Sequence, residues 1–99
     1  MAAYLVATLD VTDAGAFARY AAAVPSIVAS HGGRYIARGG ATELLEGDAP
    51  VQRVVVIEFD TLDAARAYYH SPDYQRAREL RAGAATGALF ITDGITTHV

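Results

Sequence analysis

The sequence contains no cysteine, no tryptophan and no lysine, so its eight basic side chains are all arginine. The missing cysteines exclude a thiolate nucleophile, a disulfide framework and Cys-ligated zinc or iron–sulfur centres. The missing lysines exclude a Schiff-base mechanism and a P-loop lysine. Positive charge as a whole is scarce: eight arginines against 11 acidic residues leave a formal charge of −3 and a pI near 5.4. That balance argues against binding to nucleic acid or anionic membrane driven by net charge. No run of about 18 apolar residues occurs, and Met1 to Leu9 has neither a basic leader segment nor a cleavage pattern. No membrane span is expected, and the cytoplasm is the expected compartment.

What is present reads as one folded domain over residues 1–99. Hydrophobic residues make up 53% of the chain and charged residues 19%, a balance that favours a packed core over disorder. A chain this short buries only about two thirds of its unfolded surface, so the core is limited. Abundant alanine and exclusive use of arginine point to a GC-rich bacterial genome.

Tyr4 to Leu9 is rich in strand formers and is followed by Thr12 and Asp13, either able to cap a helix. From Ala14 to His31 the larger apolar residues recur at spacings of three and four, at Phe17, Tyr20, Val24 and Ile27/Val28, which predicts a helix. Pro25 predicts a kink or a break near Val24, and Gly32-Gly33 predicts the stop. Arg34 to Arg38 has strand character. Gly39-Gly40 predicts a bend or bulge, after which Thr42 to Glu46 resumes extension before a turn at Gly47-Asp48-Ala49-Pro50. Arg53 to Phe59 is the strongest strand signal; its alternate faces are Arg53, Val55, Ile57, Phe59 and Val54, Val56, Glu58. Asp60 or Thr61 caps a helix reaching His70, and Ser71-Pro72-Asp73 starts another that runs to about Ala82. Gly87 to Asp93 forms a last strand, and Gly94 to Val99 reads as a tail. The order βαββαβ predicts an α+β, ferredoxin-like fold with one antiparallel sheet and helices on a single face. The largely apolar second face of Val54 to Glu58 then needs a cover, and a second copy of the chain supplies it as a homodimer.

Few residues stand out for chemistry. His31 and His70 fall at helix C-termini, where imidazole caps free carbonyls, and His98 lies in the tail. No histidine–carboxylate spacing suits a metal, so neither metal nor haem nor any other cofactor is expected. The glycine pairs do not fit a dinucleotide fingerprint. Arg38 and Glu58 can meet across a hairpin, either as a structural ion pair or as an anion-binding arginine beside a proton-abstracting carboxylate. The flanking Ile36, Val56 and Ile57 favour the structural pair. If a cavity opens between helices and sheet, Tyr20, Ser71, Tyr74 and Arg81 join Arg38 as ligand-binding candidates, with Glu58 or His31 as candidate bases. Core packing and capping are the plainer roles of these residues.

The phrases Val24-Pro25, Gly32-Gly33-Arg34-Tyr35-Ile36-Ala37-Arg38-Gly39-Gly40, Leu45-Glu46-Gly47-Asp48, Val54 to Phe59, Ser71-Pro72-Asp73-Tyr74-Gln75 and Arg81 together resemble the bacterial family called domain of unknown function 1330. That family lies within the dimeric α/β-barrel superfamily. The resemblance implies a ferredoxin-like dimer and no particular reaction. Distant superfamily relatives include cofactor-free monooxygenases, isomerases and haem proteins. The functional expectation is a homodimer joined through the sheet face that binds a small anionic organic molecule between helices and sheet. The alternative is a cofactor-free isomerase or monooxygenase acting on an enol-forming substrate.

Overall fold

Alternation organises the first strand: Ala3, Leu5, Ala7 and Leu9 are buried, while the residues between them are half-buried. In the computed structural model, which describes residues 2–48 and 53–95, this strand, β1 (Ala3–Val11), is followed by α1 (Ala14–Ser30), β2 (Arg34–Arg38) and β3 (Arg53–Phe59). The chain continues through α2 (Leu62–His70), α3 (Pro72–Glu79) and β4 (Ala85–Asp93). The four strands form one sheet in the order β2-β3-β1-β4, and every neighbouring pair is antiparallel. This is the expected ferredoxin-like βαββαβ arrangement with the second helix divided.

The capping residues act as their chemistry dictates. Asp13 accepts the Ala16 amide at 3.1 Å, Thr61 accepts the Ala64 amide at 3.0 Å and Ser71 accepts the Tyr74 amide at 3.2 Å. Each satisfies one of the amides that a helix start leaves free. Pro25 does not divide the first helix; α1 runs unbroken through it and buries Phe17, Tyr20, Val24 and Val28 against the sheet.

Two expectations about the second strand need correction. The chain does bend at Gly39, but the bulge lies earlier, at Ile36, where the pairing shifts between Tyr35 and Ala37. Thr42 to Glu46 forms no strand. The last ladder bond is from Gly39 N–H to the Val54 carbonyl at 2.9 Å, and β3 begins at Arg53, so residues 42–46 have no described strand to pair with. Leu45 is 85% exposed there. Ala49, Pro50 and the tail residues 96–99, including His98, lie outside the described residues. The start of the tail follows β1, with Gly94 N–H donating to the Ala2 carbonyl at 2.8 Å.

The two sheet faces differ. The inner face carries Leu5, Ala7, Leu9, Ile57 and Phe59, all buried beneath the helices. Above them the rings of Tyr68 and Tyr74 stand 4.8 Å apart and those of Phe59 and Tyr68 5.3 Å apart. Among the described residues no helix covers the outer face. Its register aligns Ala37, Val56, Val6 and Phe90 in one apolar row across all four strands, and Phe90 is 50% exposed.

Two outcomes follow from this packing. Gly87 sits opposite Leu9 at φ +143°, where an added Cβ would collide with the Thr8 carbonyl oxygen. Gly87→Ala is expected to destabilise the fold by about 2 kcal/mol or more, lowering Tm by roughly 8 °C or more; calorimetry of the variant checks this. Tyr20 and Tyr68 have phenol pKa values raised by burial, reinforced by neighbouring tyrosines. An unfolded tyrosine ionises near pH 10 while these two keep their protons, so the unfolded state binds fewer protons above that pH. Stability is therefore full below about pH 10 and falls above it, by about 1.4 kcal/mol per pH unit for each such tyrosine. Urea denaturation from pH 8 to 11.5 measures the slope. A spectrophotometric titration in which all six tyrosines ionise near pH 10 in the folded protein would contradict it.

Candidate functional site

The bulge in β2 decides where its arginines go. Before it, Arg34 pairs with Glu58 on the outer face and Tyr35 pairs with Ile57 on the inner one; after it, Ala37 pairs with Val56 and Arg38 with Val55. One extra residue moves everything beyond it to the opposite face. Arg38 thus joins Tyr35 on the inner side, its guanidinium 4.7 Å from the Tyr35 ring centroid. It also donates from Nη2 to the Ala21 carbonyl of α1 at 2.8 Å.

Arg38 and Glu58 therefore do not meet, contrary to expectation. Glu58 faces outward, accepting from Arg34 Nε at 2.6 Å and from the Tyr4 hydroxyl at 3.2 Å. Its partner is Arg34 because the two stand directly opposite each other ahead of the bulge. The remaining ion pairs among the described residues join Arg34 to Asp60, Arg66 to Asp63 and Arg76 to Asp73. The last two join residues three apart on one helix, and exposed pairs of this kind contribute little.

Between α1 and the inner sheet face lies an apolar slot that Leu5, Leu9, Phe17, Tyr20 and Tyr68 help to line, with Arg38 and Arg53 on its wall. Its free volume is about 30 Å³, room for roughly two water molecules. It adjoins an open groove of about 450 Å³ that shares Phe17, Ala21 and Arg53 with it. The Arg53 guanidinium lies 5.0 Å from the Phe17 ring centroid, and its Nε is buried without a hydrogen-bond partner among the described residues. Gly39 makes this possible. It adopts φ +67°, and a Cβ there would run into the Arg53 guanidinium. Arg53 and Arg38 are diagonal neighbours on one face, because Arg38 pairs with Val55, two residues from Arg53.

Sequence reasoning missed Arg53, Tyr35 and Phe17 as site residues. The signal for Arg53 was present, since it shares an alternate face of its strand with Ile57 and Phe59, which are core residues. Tyr35 and Phe17 carried no signal distinguishing a slot wall from ordinary packing.

The other candidates are placed as follows. Tyr20 lines the slot and shares a hydrogen bond of 2.9 Å with the Tyr74 hydroxyl. The Arg81 guanidinium lies 5.2 Å from the Tyr20 ring centroid, and its Nη2 is 3.5 Å from the Tyr74 hydroxyl. These three form one network above the slot. Ser71 is occupied by its cap and by a bond to the Tyr68 carbonyl at 2.7 Å. His31 ends α1, with Nδ1 3.0 Å from the Ile27 carbonyl and its ring edge-on to Tyr68. His70 closes α2. Among the described residues no group of three or more His, Cys, Asp or Glu side chains comes together, and no helix is long and apolar enough to cross a membrane.

Comparison with solved structures finds a protein of unknown function from Rhodopseudomonas palustris with a TM-score of 0.77 at 18% identity, covering 96% of this chain and 83% of that one. A dimeric ferredoxin-like protein of unknown function from Jannaschia sp. gives 0.62 at 20% identity, with coverage of 97% and 100%. SnoaB, a cofactor-independent oxygenase from Streptomyces nogalater, gives 0.59 at 18% identity, with coverage of 97% and 95%. At these identities the likeness is one of fold. Comparison with curated protein sequences finds no match. The family model described as domain of unknown function (DUF1330) matches residues 2–95, and the chain belongs to that family.

Proposed function

We propose that this protein is a homodimer joined through its outer sheet faces, each protomer binding a compact apolar carboxylate at Arg38 and Arg53. The observation that carries the ligand is the pair of guanidiniums. Both stand on one wall of an apolar slot, and neither has a carboxylate partner among the described residues, whose ion pairs use Arg34, Arg66 and Arg76 instead. Like charges close together on a half-covered face repel, and an oxyanion between them removes that repulsion while accepting charge-assisted hydrogen bonds. The slot is too small for an organic molecule. The carboxylate would sit at the arginines, and the apolar body would lie in the adjoining groove against Phe17 and Ala21. The row of Ala37, Val56, Val6 and Phe90 supports the dimer, because an apolar strip across four strands gains by removal from water. The Jannaschia protein of the same fold is itself described as dimeric.

A second reading, cofactor-free acid–base chemistry on an enol-forming substrate, draws on the fold shared with the cofactor-independent oxygenase. The geometry favours it less. Among the described residues the slot offers guanidiniums and phenols but neither carboxylate nor imidazole. The expected bases are elsewhere: Glu58 points to the outer face and His31 is engaged at the end of α1. Neither reading calls for a metal or a cofactor.

Benzoate at low salt is expected to raise the Tm of the protein, with benzamide, its uncharged counterpart, having no effect. Arg53→Met should weaken benzoate binding about 10- to 100-fold, the range for loss of a charged hydrogen-bond partner. A wild type indifferent to benzoate and related carboxylates, or an Arg53→Met protein that binds them equally well, would refute the site. Light scattering at micromolar concentration should give a dimer, and Val56→Asp should give a folded monomer by placing a charge in the apolar row. A monomeric wild type would refute the assembly.

A further inference from the structure

We infer that Pro25 is a positioning residue for Arg38, acting through a backbone carbonyl. In an uninterrupted α-helix the carbonyl of residue 21 accepts the amide hydrogen of residue 25. Here residue 25 is proline, which has no amide hydrogen, and its ring crowds the carbonyl four residues before it. The helix continues through this point, so the Ala21 carbonyl is left without its helical donor. A carbonyl in that state needs another partner, and Arg38 Nη2 supplies it at 2.8 Å. Ala21 lines both the slot and the groove, so the orphaned acceptor sits at the rim of the proposed ligand site.

The consequence is a side chain fixed from two directions. The Tyr35 ring stands 4.7 Å from the guanidinium carbon and limits its tilt. The Ala21 carbonyl holds one edge. A long, exposed arginine would otherwise sample many rotamers and lose that freedom on binding a ligand. The proline removes this loss beforehand and leaves the other guanidinium N–H groups of Arg38 available to an oxyanion. The helix gives up one hydrogen bond, and the gain appears only when an anion is bound.

This inference rests on the carboxylate-site reading, and two readouts separate the failure of each. The first needs no ligand: the heteronuclear NOE of the Arg38 Nε–H group reports its mobility. In Pro25→Ala, residue 25 regains an amide that can re-engage the Ala21 carbonyl. Arg38 should become mobile while the Tm stays equal or rises, as expected when proline leaves a helix interior. The second readout is benzoate affinity, expected to fall about fivefold or more in Pro25→Ala and to change less than twofold when the same substitution is made in an Arg38→Met background. An Arg38 as rigid in Pro25→Ala as in the wild type overturns the positioning role, as does an equal loss of affinity in both backgrounds. A mobile Arg38 in a protein whose wild type ignores benzoate upholds the positioning and overturns the ligand site.

Discussion

The extra residue at Ile36 governs the disposition of charge in this protein. Without it, Arg38 would stand opposite Val54 on the outer face of the sheet, and the inner slot would have a single arginine. With it, Arg34 and Arg38 leave one short strand in opposite directions, Arg34 outward to Glu58 and Arg38 inward beneath α1. A sheet transmits such a shift without loss because its side-chain period is two, so one residue inverts the facing of all that follow. The left-handed Gly39 just beyond then lets the Arg53 guanidinium pass close to the backbone.

The two faces created in this way carry different chemistry. Outside, Glu58, Arg34 and Tyr4 form a closed polar group next to an apolar row. Glu58 accepts from both of its neighbours, and Arg34 also reaches Asp60. Inside, the polar atoms are less completely matched. Arg53 Nε and Arg81 Nε are buried without partners among the described residues, and both guanidiniums lie against aromatic rings. Ring contact satisfies the charge in part but leaves N–H groups without acceptors. Of the two, Arg53 borders the slot and the open groove beside it.

A tyrosine network packs beside the slot, with Tyr20 and Tyr68 in its lining. Tyr20, Tyr68 and Tyr74 are nearly or fully buried, and their ring contacts join α1 to the pair α2 and α3. The Tyr20–Tyr74 hydrogen bond supplies each hydroxyl with a partner, as burial of a phenol requires. Burial also raises the Tyr20 and Tyr68 phenol pKa values. The same helices carry His31 and Ser71, whose polar atoms are engaged at helix ends.

The sequence alone determined whatever depends on local chemistry and periodicity. The alternation in β1 and β3, the helical stripe of Phe17, Tyr20, Val24 and Val28, and the caps at Asp13, Thr61 and Ser71 are readable because each rests on residues a few positions apart. From these the βαββαβ order follows, and with it the fold and the uncovered outer face. Tertiary structure decided which way the candidate side chains face. The expected Arg38–Glu58 pair failed because a bulge one residue long, with no glycine to mark it at Ile36, sets the register, and register belongs to two strands rather than one. The strand expected at Thr42 to Glu46 failed for a related reason: an extended segment becomes a strand only where a partner lies alongside it. Pro25 announced a defect in α1, but the carbonyl it frees and the arginine that meets it come from positions 21 and 38, which only the packing of helix on sheet brings together.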